Sequence, residues 1–179
     1  MRDLDSLFDT LTAEQSQKRL PPVDKWHPER VGHIDIRIAR NGAWYHEGDP
    51  IRREALIKLF STVLRRDDDG YCLVTPAEKL LIEVEDAPFM AVDMEVKGEG
   101  RNAQLLFTTN VGDHVVADAD HPIQVEDQDG EPRPYVHVRL GLDALITRAV
   151  FYRLVELSVQ ERGELVVYSR GARFVLGRV

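Results

Sequence analysis

The strongest constraint on the fold is a short pattern that occurs twice in the chain. Residues 34–38 read Ile-Asp-Ile-Arg-Ile, and residues 136–140 read Val-His-Val-Arg-Leu. Apolar and polar residues alternate in both pentads, as in a strand with one buried face. After each pentad the sequence predicts a long helical stretch and then two apolar strands. Residues 34–84 and 136–177 therefore share the order strand, helix, strand, strand.

This repeated order predicts an α+β fold with two related halves. The connections between strands are short, which favours mostly antiparallel sheets. The alternative is two unrelated α+β halves. The predicted domains are an N-terminal α+β domain over residues 22–86 and a β-rich C-terminal α+β domain over residues 87–179, preceded by a helical arm over residues 1–21.

The two long helices are predicted from their broad apolar faces. The first is expected to begin at Asp49, and the second to begin at Asp143 and to end near Gly163. Aspartate suits the N-cap position, because its carboxylate accepts hydrogen bonds from the first free backbone N–H groups. Phe60 and Leu154 are the expected core anchors of the two helices.

The N-terminal arm carries one apolar stripe with the spacing of a helix face. Two prolines, Pro21 and Pro22, end the helical pattern. The stripe docks either on its own domain or on a protein partner or second subunit. Its residues are Leu4, Leu7, Phe8 and Leu11.

Net charge argues against two classes of partner. The chain has 23 Lys and Arg and 31 Asp and Glu, so its net charge is −8 with neutral histidines. A nucleic-acid backbone or an anionic membrane surface requires a basic face. No apolar run approaches the roughly 20 residues of a membrane span, and the N-terminus lacks the pattern of a signal peptide. We therefore expect a cytoplasmic protein that binds neither nucleic acid nor membrane.

The single cysteine, Cys72, lies in an apolar run and is expected to be buried.

Two arginines occupy the same place in the two pentads. Arg37 shares the polar face of its strand with Asp35, and Arg139 shares that of its strand with His137. A guanidinium offers a rigid fork of donors that suits a carboxylate or phosphate. In one interpretation, each arginine pairs with an internal acid or lies in water. In the other, one or both arginines face an anionic ligand at the seam of the two halves.

A second arginine pair lies near the predicted helix starts. Arg53 and Arg148 fall within the first two turns, where free N–H groups and the helix dipole already favour anions. The alternative is a solvated charge or an ion pair. Trp44, Tyr45 and Tyr135 lie beside these elements and either wall a pocket or belong to the core.

Signals for catalysis or metal binding are weak. Asp86, in the phrase Asp-Ala-Pro-Phe, either fixes a turn or points into a cleft. No two histidines have the spacing of a helical metal pair, and neither a nucleophile elbow nor a glycine-rich phosphate loop is present. No metal or cofactor is predicted. An enzyme would have to use Asp86, His114 or His121 as acid or base.

Several phrases resemble one known family. They are Asp-Ile-Arg-Ile at residues 35–38, Gly-Ala-Trp at 42–44, Leu-Val-Thr-Pro at 73–76 and Val-Glu-Asp-Ala-Pro-Phe at 84–89. In this order, the chain from about Pro22 onward resembles the bacterial DUF1285 family. The resemblance implies an α+β protein with N- and C-terminal domains that contain repeated structural motifs. It also implies a role in signalling, and it brings no activity, substrate or catalytic residue.

Three functional hypotheses follow. The leading one is a non-enzymatic ligand-binding or signalling module with a small anionic ligand at the seam. The second is a protein-interaction or oligomerisation module, which uses the N-terminal stripe or exposed strand edges. The third is an enzyme with an unrecognised site.

Overall fold

The computed structural model describes residues 20–179. The chain divides into two compact units, one ending at Asp86 and the other spanning Ala87–Val179. The predicted apolar stripe of the arm lies outside the described residues. A short 3-10 turn, Val23–Lys25, precedes the first strand.

The N-terminal unit is a six-stranded sheet with one helix. The sheet order is β3-β2-β1-β6-β5-β4, and only the central pair, β1 and β6, is parallel. Helix α1, Glu54–Ser61, connects the first three strands to the last three. The strands are β1 Arg30–Ile38, β2 Trp44–His46, β3 Asp49–Pro50, β4 Leu64–Asp67, β5 Gly70–Val74 and β6 Glu78–Val84.

The C-terminal unit contains a second six-stranded sheet. Its order is β10-β11-β12-β7-β8-β9, and only β7 and β12 are parallel. A 3-10 turn, Gly100–Asn102, lies between β7 and β8. The strands are β7 Phe89–Lys97, β8 Gln104–Thr109, β9 His114–Val116, β10 Ile123–Gln128, β11 Glu131–Arg139 and β12 Leu142–Ile146.

A helix and a small sheet complete this unit. Helix α2, Arg148–Leu157, follows β12 and packs against β7 and β14. After it, strands β13 Val159–Glu161, β14 Glu164–Ser169 and β15 Ala172–Arg178 form a three-stranded antiparallel sheet. As in the N-terminal unit, a helix is followed by a run of antiparallel strands.

The predicted α+β class, with two related halves and mostly antiparallel sheets, is confirmed. Each six-stranded sheet consists of two three-stranded meanders whose first and last strands pair in parallel. The two pentads nevertheless occupy different positions: β1 lies at the parallel junction, whereas β11 lies one strand away from its own junction. By sheet order, the counterpart of β1 is β7.

The two predicted core anchors are fully buried. Phe60 of α1 is 0% exposed, and its ring stacks on Trp44 of β2 with 6.3 Å between centroids. Leu154 of α2 is also 0% exposed. Cys72, on β5, is buried as expected. Neither described helix is long and apolar enough to cross a membrane.

Both predicted helix starts are wrong. Asp49 belongs to β3 and pairs with His46, so α1 begins only after Arg53. Asp143 belongs to β12 and pairs with His137, so α2 begins only after Thr147. In the second case the apolar run Leu142–Ile146 has the composition of either a helix or a buried strand, and periodicity does not separate the two.

Candidate functional site

The pentad arginines form ion pairs within their own units. Arg37 Nη1 lies 3.0 Å from Oε1 of Glu85, and Arg139 Nη1 lies 2.6 Å from Oδ2 of Asp113. Each guanidinium also lies over an aromatic ring, at 4.4 Å and 5.2 Å from the centroid. The two rings belong to Tyr45 and Phe89. The contacts account for both charges without a bound anion.

His137 takes part in a paired arrangement with His121. His137 Nδ1 lies 2.9 Å from Oδ1 of Asp143, and His121 Nδ1 lies 3.0 Å from Oδ1 of Asp118. The two imidazoles stack with 6.3 Å between centroids and an interplanar angle of 28°. Burial alone would raise the pKa of Asp118, but hydrogen bonds from His121 and from backbone N–H groups outweigh it and lower that pKa. Each carboxylate thus fixes the orientation of one imidazole.

The remaining candidates are dispersed. Trp44 is 1% exposed and belongs to the core. Tyr135 is buried in a small cluster with Leu145. Asp86 is half-buried in the bend after β6, and Arg53 is exposed at the N-cap of α1.

Arg148 lines a cavity of about 500 Å³ in the C-terminal unit, which we call the arginine cavity. Its polar lining includes Arg133 of β11 and both Arg148 and Tyr152 of α2. Its apolar lining includes Met90, Leu145 and Phe151. The parallel pairing of β7 and β12 places Met90 opposite Leu145, so the long-range sheet contact builds part of the wall.

The arginine cavity lies where α2 begins. The N–H of Phe151 donates to the carbonyl of Thr147 at 2.8 Å, which is the first i to i−4 hydrogen bond of the helix. The backbone N–H groups before Phe151 therefore have no partner within the helix. Thr147 makes no side-chain cap. Within residues 20–179 no ion pair involves Arg148. Two arginines, Arg133 and Arg148, and one acid, Glu131, line the cavity.

Sequence reasoning identifies Arg148 but not Arg133 or Tyr152. Arg133 lies between two prolines in a stretch with the composition of an acidic loop, although it belongs to β11. Its approach to α2 depends on sheet pairing and leaves no local signal. Across the described part of the chain, no group of three or more His, Cys, Asp or Glu side chains is arranged to hold a metal ion.

The fold and cavity define a class: a two-domain α+β protein with matching sheet orders and an arginine-lined cavity in its second domain. Residues 21–87 match the family described as "Domain of unknown function (DUF1285), N-terminal domain". Residues 88–176 match "Protein of unknown function (DUF1285), C-terminal domain". The chain belongs to the DUF1285 family, which confirms the resemblance seen in its sequence.

Two crystal structures of DUF1285 family proteins are similar to this chain. The protein from Silicibacter pomeroyi DSS-3 is 47% identical, and the match covers 100% of this chain and 97% of that one, with a TM-score of 0.91. The protein from Shewanella baltica OS155 is 30% identical, and the match covers 68% of this chain and 90% of that one, with a TM-score of 0.54. No curated protein matches the chain.

Proposed function

We propose that this protein is a non-enzymatic signalling module that binds a small anionic ligand in the arginine cavity. The observation that supports the proposal is that Arg133 and Arg148 line one cavity at the start of α2. The sequence hypothesis places the ligand at the seam of the two halves. The site proposed here lies within the C-terminal unit.

The lining suits an anion with an apolar body. A cavity of about 500 Å³ falls in the range of small-molecule pockets. A guanidinium binds a carboxylate or phosphate through two parallel hydrogen bonds, and the helix N-terminus adds a favourable field. Phe151, Met90 and Leu145 offer apolar surface to the rest of the ligand.

The same lining favours binding over catalysis. Among the described residues that line the arginine cavity there is no histidine, cysteine or serine. Glu131 is exposed and is the one carboxylate of that lining. General acid–base and nucleophilic catalysis most often use histidine, cysteine or serine side chains, so this lining supports binding.

A thermal-shift screen of the full chain against dicarboxylates, sugar phosphates and nucleotides tests the proposal. A ligand of the arginine cavity should raise the melting temperature. Arg148→Gln should weaken its binding by about ten- to hundredfold, because a hydrogen bond to a charged group contributes roughly 1.5–3 kcal/mol.

Arg153→Gln is the matched control on the same helix. Arg153 bonds to the carbonyl of Met94 at 2.6 Å and does not line the arginine cavity. Its substitution should leave ligand affinity unchanged. The proposal is rejected if no compound shifts the melting temperature, or if Arg148→Gln binds as tightly as Arg153→Gln.

A further inference from the structure

A second concave surface lies elsewhere in the C-terminal unit. It has a volume of about 420 Å³ and runs between the Gly100–Asn102 turn and the three-stranded sheet. We call it the tyrosine groove, after Tyr168 at its polar end. We propose that the tyrosine groove binds an aliphatic carboxylate, with the chain along the apolar floor and the carboxylate at Arg101.

The floor of the tyrosine groove is apolar and formed by well-packed residues. Leu105, Val166 and Val167 line it and are at most 3% exposed. Because these side chains belong to the core of the unit, the floor is fixed before any ligand arrives. A preformed apolar surface binds without the cost of ordering it first.

The rim of the tyrosine groove exposes large apolar side chains. Val96 is 38%, Leu157 46% and Val159 49% exposed, and all three line the groove. Single exposed apolar residues are ordinary, but several around one concavity indicate a surface that is covered when a ligand is bound.

One end of the tyrosine groove carries a positioned cation. The Arg101 guanidinium lies 5.2 Å from the centroid of the Tyr168 ring. Within residues 20–179 no ion pair involves Arg101. The negative face of an aromatic ring attracts a cation at this distance, which favours this position of the exposed Arg101 side chain at the polar end.

The nearby acid is already engaged. The Tyr168 hydroxyl donates to both carboxylate oxygens of Glu161, at 2.7 Å and 2.8 Å, and Arg173 Nε lies 3.1 Å from Oε1. These hydrogen bonds, together with the charges of Arg173 and Arg101, lower the pKa of Glu161. Glu99, the other acid of the lining, is exposed to water. Among the described residues that line the tyrosine groove, Arg101 is the one cation, and a carboxylate ligand would compete with Glu161 for it.

A carboxylate fits this arrangement better than a neutral or cationic amphiphile. Each methylene that the ligand buries on the apolar floor should raise its affinity about fourfold. A negative head group at Arg101 should raise the affinity by a further factor of about ten. Both contributions are measurable with simple probes.

Isothermal titration calorimetry of the full chain with hexanoate, octanoate and decanoate, all below their micelle concentrations, tests the proposal. Affinity should rise with chain length, and decanol and decyltrimethylammonium should bind more weakly than decanoate. Arg101→Gln should reduce decanoate binding about tenfold and remove the preference for decanoate over decanol. Loss of the chain-length trend, or an unchanged preference in Arg101→Gln, overturns the proposal.

Two valines supply a matched pair of variants. Val159→Asp places a charge on the rim and should abolish decanoate binding. Val92→Asp alters a valine that is 46% exposed on β7, outside the tyrosine groove, and should leave binding intact. Equal effects of the two substitutions would show nonspecific binding and overturn the proposal.

Two further measurements distinguish decanoate binding in the tyrosine groove from binding in the arginine cavity and from self-association. Arg148→Gln should leave decanoate binding unchanged, so failure of the arginine cavity and failure of the tyrosine groove are distinguishable. Light scattering on the same variants tests a second copy as the occupant. A dimer that Val159→Asp dissociates and Val92→Asp preserves, without decanoate binding, would overturn the proposal and assign the groove to self-association instead.

Discussion

At the scale of single residues, a charged network fixes one edge of the N-terminal sheet. Arg65 Nη1 donates to the carbonyls of Val23 and Trp26 at 2.7 Å and 2.6 Å, and Arg65 Nε donates to Oδ1 of Asp67 at 2.8 Å. Lys79 Nζ lies 2.8 Å from the other carboxylate oxygen of Asp67. This network connects the start of the described chain to β4 and β6. Because its side chains are largely shielded from water, we assign it a structural role.

The same network makes stability depend on pH. The hydrogen bond from Arg65, followed by that from Lys79, outweighs burial and lowers the pKa of Asp67 below its ordinary 3.8. A carboxyl group whose pKa is lower in the folded state stabilises the fold above its unfolded pKa, and this stabilisation is lost as the pH falls through the folded pKa. The free energy of unfolding should therefore decrease below about pH 4.

Urea unfolding of the wild type and of Asp67→Asn between about pH 2 and pH 6 measures this contribution. Asp67→Asn should be the less stable protein at the upper end of this range, and the difference should shrink as the pH falls. Asp68→Asn is the control, because Asp68 is exposed and adjacent in sequence. A constant difference between wild type and Asp67→Asn across the whole range would contradict the assignment.

At the scale of elements, local patterns predicted the existence of strands and helices better than their boundaries or their pairing. Alternation identified β1 and β11, because a period of two is visible within one strand. It did not distinguish β12 from a helix, because Leu142, Ala144, Leu145 and Ile146 are all buried. The parallel pairs depend on contacts between strands distant in sequence, so no local pattern reports them.

The candidate site shows the same division. Arg148 was identified because it fell within the first two turns of a helix predicted from Asp143, although that helix begins at Arg148 itself. Arg133 reaches the arginine cavity only through the pairing of β11 with β12, and β12 in turn with β7. The Asp118–His121 and Asp143–His137 pairs likewise required the sheet to bring both imidazoles together.

Helix α2 depends on few buried side chains. Val150 and Leu154 are its fully buried residues, and the helix packs against β7 and β14. Leu154→Ala should lower the free energy of unfolding by about 3 kcal/mol, through lost apolar burial and the cavity left behind. Chemical denaturation measures the change, and Glu156→Ala, exposed on the same helix, should change it by less than about 0.5 kcal/mol. Equal effects of the two substitutions would contradict the packing of α2.

At the scale of the whole molecule, the two units repeat one sheet order on different sequences. In each, a meander of three strands is joined to a second meander by one parallel pair. The N-terminal unit inserts its helix between the two meanders, whereas the C-terminal unit places its helix after the second meander and adds a three-stranded sheet. The C-terminal unit contains both concave surfaces proposed as ligand sites.

The C-terminal unit should therefore fold by itself. Every strand pair of its sheets joins strands of that unit, and it contains its own buried core residues, including Phe107, Val136 and Leu154. We expect residues 87–179 alone to give a dispersed amide NMR spectrum and one cooperative thermal transition. Residues 20–86 form a smaller sheet and bury a smaller fraction of their surface, so their isolated melting temperature should be lower. Leu154→Asp in the 87–179 fragment should collapse the dispersion, because it buries an unpaired charge. A fragment 87–179 with the spectrum of an unfolded chain would show instead that its core requires residues of the N-terminal unit.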